Sequence, residues 1–150
     1  FGMIDAAAAV TAATNYTTNL GSFVNTGVIT GGNGTWVDPC IINCFLRVAV
    51  SAPASSNGKI EFVKVILQMN KADPEHVSFE LISPDETRVP ILPAYTIVRN
   101  NPAGSEFAIG VNAFYGENMT GTWKLHVNDH VSDDSVGGTI NSFKIIIHGN

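Results

Sequence analysis

Three carboxylates, Asp129, Asp133 and Asp134, crowd into one short stretch near the C-terminal end of the sequence. Calcium takes about six to eight oxygen ligands, and loops supply carboxylates and carbonyls well. Carboxylates held this close repel one another, and a divalent cation would offset that repulsion. These three residues are therefore a candidate calcium site, and calcium is the only cofactor the sequence suggests. The spacing is not that of an EF-hand loop, and aspartates in turns often serve only to hydrogen-bond the nearby backbone. The pairs Asp85–Glu86 and Asp73–Glu75 are weaker candidates of the same kind.

Cys40 and Cys44 are the only cysteines. In an extended segment their Cα atoms would lie roughly 13 Å apart, at about 3.3 Å per residue. A disulfide needs about 4.4–6.8 Å, so bridging requires a turn, which Asp38-Pro39 can start. A small-loop disulfide in an oxidising compartment and a pair of free or metal-binding thiols both stay open. Trp36, Tyr95 and Tyr115 are candidate contacts for a substrate. Trp123 belongs in the core instead, because it alternates in register with Leu125 and Val127.

Nucleophilic catalysis finds no support. No serine lies in a nucleophile elbow, and neither a two-histidine zinc helix nor a phosphate-binding glycine loop occurs. Of His76, His126, His130 and His148, His126 is expected on the surface, turned away from the Trp123–Val127 core face. The chain carries no catalytic residue on this reading and is not expected to be an enzyme by itself.

The elements that would position these residues follow from composition and periodicity. The 150 residues suit one domain, and 45% hydrophobic with 14% charged residues excludes a disordered chain. A net charge of −5 without clustered Lys or Arg argues against nucleic acid as a partner. No apolar run approaches the roughly 20 residues of a membrane span. The first residues lack the basic start and apolar stretch of a signal peptide, and the chain begins like an excerpt from something longer.

Asp5 and the alanine-rich run behind it predict a short capped helix, which must dock on something because a lone helix of this length is marginal. Residues 15–34 read as a linker or irregular edge segment. Beyond them the period becomes two. Val63, Val65, Leu67 and Met69 share one strand face, and Val77, Phe79 and Leu81 share another. Residues 89–92 pair back across a Pro84-Asp85-Glu86 turn as a hairpin. Trp123, Leu125 and Val127, then Phe143, Ile145 and Ile147, complete the alternating set. The pattern predicts an all-β fold, a jelly-roll sandwich of about eight antiparallel strands with a short N-terminal helix.

Two stretches carry a family resemblance. Phe1-Gly2-Met3-Ile4-Asp5-Ala6-Ala7-Ala8-Ala9-Val10 resembles the closing helix of a subtilisin-type catalytic domain. The second stretch comprises Leu81-Ile82-Ser83-Pro84 with Thr87, Phe114-Tyr115-Gly116-Glu117, Gly121-Thr122-Trp123 with Leu125, Val127 and Asp129, and Gly138-Thr139-Ile140-Asn141-Ser142-Phe143. In that order it resembles the P domain (homo B domain) of kexin- and furin-like proprotein convertases and bacterial relatives. One departure is that the family's usual Ser-Pro-Ser-Gly-Thr turn is here Ser83-Pro84-Asp85-Glu86-Thr87, without the glycine.

The resemblance implies three segments: a catalytic-domain helix at 1–14, a linker at 15–34 and a P domain at 35–150. It implies a secreted, non-catalytic accessory domain that supports a subtilisin-like serine endopeptidase of the same chain, whose catalytic residues lie upstream. Away from that neighbour, residues 1–14 are expected to be mobile or repacked. Two alternatives are a module that holds a bulky protein substrate such as collagen, and a lectin-like carbohydrate-binding domain.

Overall fold

The computed structural model describes residues 5–15, 22–36, 45–53, 58–71, 74–96, 105–130 and 137–150. Cys40, Cys44, Asp133, Asp134 and residues 97–102 lie outside these segments.

Helix α1 (Ala6–Thr14) forms where alanine dominates, and the Asp5 side chain caps it by accepting from the Ala8 N–H at 2.9 Å. None of its residues is buried. The strands then follow in order: β1 (Val24–Asn25), β2 (Ile29–Thr30), β3 (Gly34–Trp36), β4 (Phe45–Ala52), β5 (Ile60–Asn70), β6 (Val77–Ile82), β7 (Arg88–Leu92), β8 (Glu106–Val111), β9 (Gly121–Asp129) and β10 (Gly138–Gly149). A single 3₁₀ turn, Pro74–His76, precedes β6.

These strands make two antiparallel sheets. The larger runs β1-β10-β5-β8, with β2 and β3 pairing the same edge of β10 as β1. The smaller runs β4-β9-β6-β7. Residues 22–36 therefore form three short strands laid along β10, and the larger sheet recruits residues ahead of position 35. The all-β sandwich expected from the alternation is the fold observed.

The core is the layer between the sheets, filled by the inward positions that the period of two marks out. Val63, Val65, Leu67, Phe143, Ile145 and Ile147 face Phe79, Leu81, Trp123, Leu125 and Val127, all buried. Each such side chain contributes about 1.5–3 kcal/mol relative to exposure. Trp123 meets Phe114 edge to face, with centroids 5.0 Å apart and planes at 87°. Its Nε1–H donates to the Met119 carbonyl at 3.4 Å, so the buried indole is not left without an acceptor.

Among the longer strands, β8 escaped the sequence reading. β8 turns Phe107, Ile109 and Val111 inward, but its outward residues are Glu106, Ala108 and Gly110, which blur the polar half of the alternation. Gly110 has a packing reason: a Cβ there would meet the Phe62 ring at 2.9 Å.

Candidate functional site

Chemistry-bearing side chains gather at one end of the sandwich, where β5 ends, β6 begins and β9 ends. Asp129 pairs with Val77 in register, and its carboxylate turns inward. There it meets the Lys71 ammonium at 2.8 Å, with side chains 2% and 0% exposed respectively. This buried ion pair ties the exit of β5 to the exit of β9, across the two sheets. The first of the three candidate calcium ligands thus already has a cation beside it. Among the described residues no cluster of three or more His, Cys, Asp or Glu is arranged to hold a metal ion.

Next to that pair, the Ser78 hydroxyl lies 2.8 Å from His130 Nε2. Serine, histidine and the adjacent Asp129 do not make a catalytic relay. Such a relay needs the carboxylate on the far ring nitrogen of the histidine. Here Asp129 is directed into the sandwich towards Lys71. The Ser78–His130 contact is a cross-strand hydrogen bond on the outer face.

The outer face of the smaller sheet is polar. Glu80 accepts from Arg88 at 3.1 Å and faces His126 Nδ1 at 3.3 Å, while Lys124 pairs with Glu86. His126 is correctly expected to point away from the core, but it is not a freely solvated surface residue. Its side chain is only 14% exposed and is enclosed by this polar belt.

The outer face of the larger sheet is different. Phe62 and His148 lie opposite each other on β5 and β10, with centroids 5.8 Å apart. Phe23, 66% exposed, stacks on the other side of His148 at 5.7 Å and 27°. Half-buried Ile66 and Ile146 continue the same face, beside the Lys144–Glu106 pair. With Lys144 opposite Ile66 and Lys64 opposite Ile146, this outer face, as far as the described residues go, suits a docking surface better than a reaction site. Sequence inspection passed over it, although Ile66 and Ile146 already broke the polar side of two alternating patterns.

The three candidate substrate contacts do not converge. Tyr95 is 64% exposed and sits just beyond β7, with its backbone N–H bonded to the Glu75 carbonyl, at the Lys71–Asp129 end. Tyr115 is 74% exposed in the turn between β8 and β9, at the opposite end. The Trp36 backbone pairs with Gly138 at the edge of the larger sheet.

The chain has no match among the curated proteins. It is similar in structure to the serine protease of Aeromonas sobria, with a TM-score of 0.72, 19% identity, and coverage of 99% of this chain but 30% of that one. The same protease in complex with the chaperone ORF2 gives a TM-score of 0.72 at 18% identity, over 95% of this chain and 29% of that one. FLHE shares the fold at a TM-score of 0.56 and 12% identity, over 83% of this chain and 96% of that one. This chain therefore spans under a third of the length of the protease it superposes on. The proprotein convertase P-domain family matches residues 60–147, more than half of the sequence, with both halves of the core and the Trp123 motif inside the match. The chain belongs to the P-domain family of the proprotein convertases.

Proposed function

We propose that this domain is the C-terminal accessory part of a secreted subtilisin-like serine endopeptidase, and that it supports folding and stability of the catalytic domain. The observation that carries the reading is the superposition on a serine protease, which uses nearly all of this chain and under a third of the other. Two uncovered features support it. Helix α1 buries none of its residues, and the Phe23–His148–Phe62 strip leaves apolar surface open. A catalytic domain reached through α1 would cover both. The polar outer face of the smaller sheet would remain in solvent.

The test is to produce the catalytic region with and without this domain and compare soluble yield, melting temperature and peptidase activity. Without the domain, soluble active protease is expected to fall at least about tenfold. A joint Phe23→Ser, Ile66→Ser, Ile146→Ser variant should reproduce much of that loss while this domain itself still melts cooperatively. Equal yield and melting of the catalytic region alone would refute the reading.

Calcium is a separate proposal. With Asp129 held by Lys71, the ion would depend on Asp133 and Asp134 together with loop carbonyls.

A further inference from the structure

The two sides of the sandwich are closed differently. On one side the chain between β2 and β3 crosses from sheet to sheet. The Gly31 N–H donates to the Phe143 carbonyl of β10 at 2.7 Å, and the Gly32 N–H donates to the Ala49 carbonyl of β4 at 2.8 Å. Packing there is tight, since a Cβ on Gly31 would lie 2.4 Å from the Val50 Cβ. On the other side the sheets end in β8 and β7. Phe107 of β8 reaches across to Phe79 of β6, with ring centroids 6.2 Å apart, so these two edges flank the same layer of the core.

Core-facing side chains record the difference. Val63, Val65 and Leu67 on β5, and Phe79 and Leu81 on β6, are at most 1% exposed. One strand further out, Val89, Ile91 and Leu92 on β7 and Phe107 and Ile109 on β8 pack against the same core but are only half-buried. Among the described residues β8 pairs with β5 alone and β7 with β6 alone. The two edges thus border an apolar slit. Their backbones differ. Pro90 lies opposite Glu80 on β7 and has no N–H to offer a further strand, a common protection of sheet edges. β8 contains no proline, and a strand paired on one side leaves every second N–H and C=O pointing outward.

We propose that β8 and the slit beside it bind an extended polypeptide segment by strand addition. Backbone groups of the segment would complete the outer ladder of β8, and its side chains at alternate positions would enter the slit against Phe107, Ile109 and β7. The chain itself supplies the precedent, because residues 31–32 close the opposite side with backbone bonds to both sheets. One extended chain fits better than a second folded copy. Pairing two sandwiches through β8 would also bring β7 against its mate, where Pro90 offers no donor. Recognition of this kind is tolerant of sequence: the ladder reads backbone, and the slit asks only for an apolar group at every second position. On the accessory reading the segment belongs to a protein substrate of the neighbouring peptidase. That assignment rests on the accessory reading, and the binding site itself does not.

Amide exchange and fluorescence anisotropy on the 150-residue chain test the site. In the free chain, every second amide of β8 should exchange at least about tenfold faster than the amides bonded to β5. A labelled, capped heptapeptide of alternating Thr and Val should bind saturably and raise protection at those fast amides. Its twin, N-methylated throughout, keeps the apolar groups but cannot donate along either edge, and should bind at least about tenfold more weakly. Uniformly slow β8 amides in the free chain would mean that the chain covers its own edge, and would overturn the proposal. Equal affinity for the twin, which marks apolar sticking, would overturn it too. So would protection that rises with protein concentration alone, which marks a second copy. If the peptide binds as expected while removal of the domain leaves the catalytic region unchanged, the site stands and only its assignment to a peptidase substrate falls.

Discussion

At the scale of single residues, the buried Lys71–Asp129 pair shows both what was legible and what was not. Trp123, Phe79 and Phe143 could be placed in the core from the sequence because each continues an alternation through its own strand. Lys71 could not, since it lies just beyond the end of β5 and its partner belongs to a distant strand. No periodicity marks a contact of that kind. Its energetics are lopsided. Removing one member of a buried ion pair strands the other charge and costs about 3–5 kcal/mol, while replacing both by apolar groups can be neutral. Lys71→Met should therefore destabilise the domain by about that amount in urea unfolding, and adding Asp129→Leu to it should restore most of the loss. If the single substitution costs under about 1 kcal/mol, Asp129 is reached by water and the pair does not close this end of the sandwich. Repeating the melts with millimolar calcium and with chelator tests the proposed ion. A rise that persists in Asp129→Asn but vanishes in Asp133→Asn, Asp134→Asn assigns it to the later residues.

At the scale of elements, strands with a strict polar face were readable and those without were not. β6 and β7 emerged as a hairpin because Ser78 and Glu80 separate Val77, Phe79 and Leu81, and Pro84 marks the turn. β1, β2 and β3 were invisible because two or three residues carry no period; they are strands only because β10 offers them an edge. The hairpin turn also gives the missing family glycine a physical consequence. Glu86 occupies the glycine's place and sits at φ 64°, a left-handed conformation that costs side-chain-bearing residues about 1 kcal/mol or more. Its carboxylate pairs with Lys124, but that group is 63% exposed, and such pairs contribute about 0–1 kcal/mol. Relief of strain outweighs the lost pair and part of the added unfolded-state freedom of glycine. Glu86→Gly should raise the unfolding free energy by a few tenths of a kcal/mol up to about 1 kcal/mol, read as a higher urea midpoint at unchanged slope. A fall in stability would mean that the Lys124–Glu86 pair, and not the backbone, governs this turn.

At the scale of the whole molecule, the two chain ends have opposite weights. Helix α1 was legible down to its Asp5 cap, and none of its residues is buried among the described parts of the chain. β10 is the reverse. It pairs along one side with β1, β2 and β3 and along the other with β5, and it sends Ile140, Phe143, Ile145 and Ile147 into the core. Without it β5 loses its long partner, the incoming strands lose the edge they pair with, and one wall of the core opens. Pairings between segments so far apart in sequence form late and cooperatively, because loop closure must precede the contacts that repay it. Deleting residues 1–21 should therefore leave the melting temperature within a few degrees of the parent, since no buried side chain among the described residues is removed. Deleting residues 138–150 should abolish the cooperative transition and the near-ultraviolet signal of Trp123. A truncation at 137 that still melted cooperatively would show that the smaller sheet folds alone, and the sandwich would then be two units instead of one. A deletion of 1–21 that cost more than a few degrees would show that the N-terminal segment is bound to the sandwich in solution, and that α1 does not await an external partner.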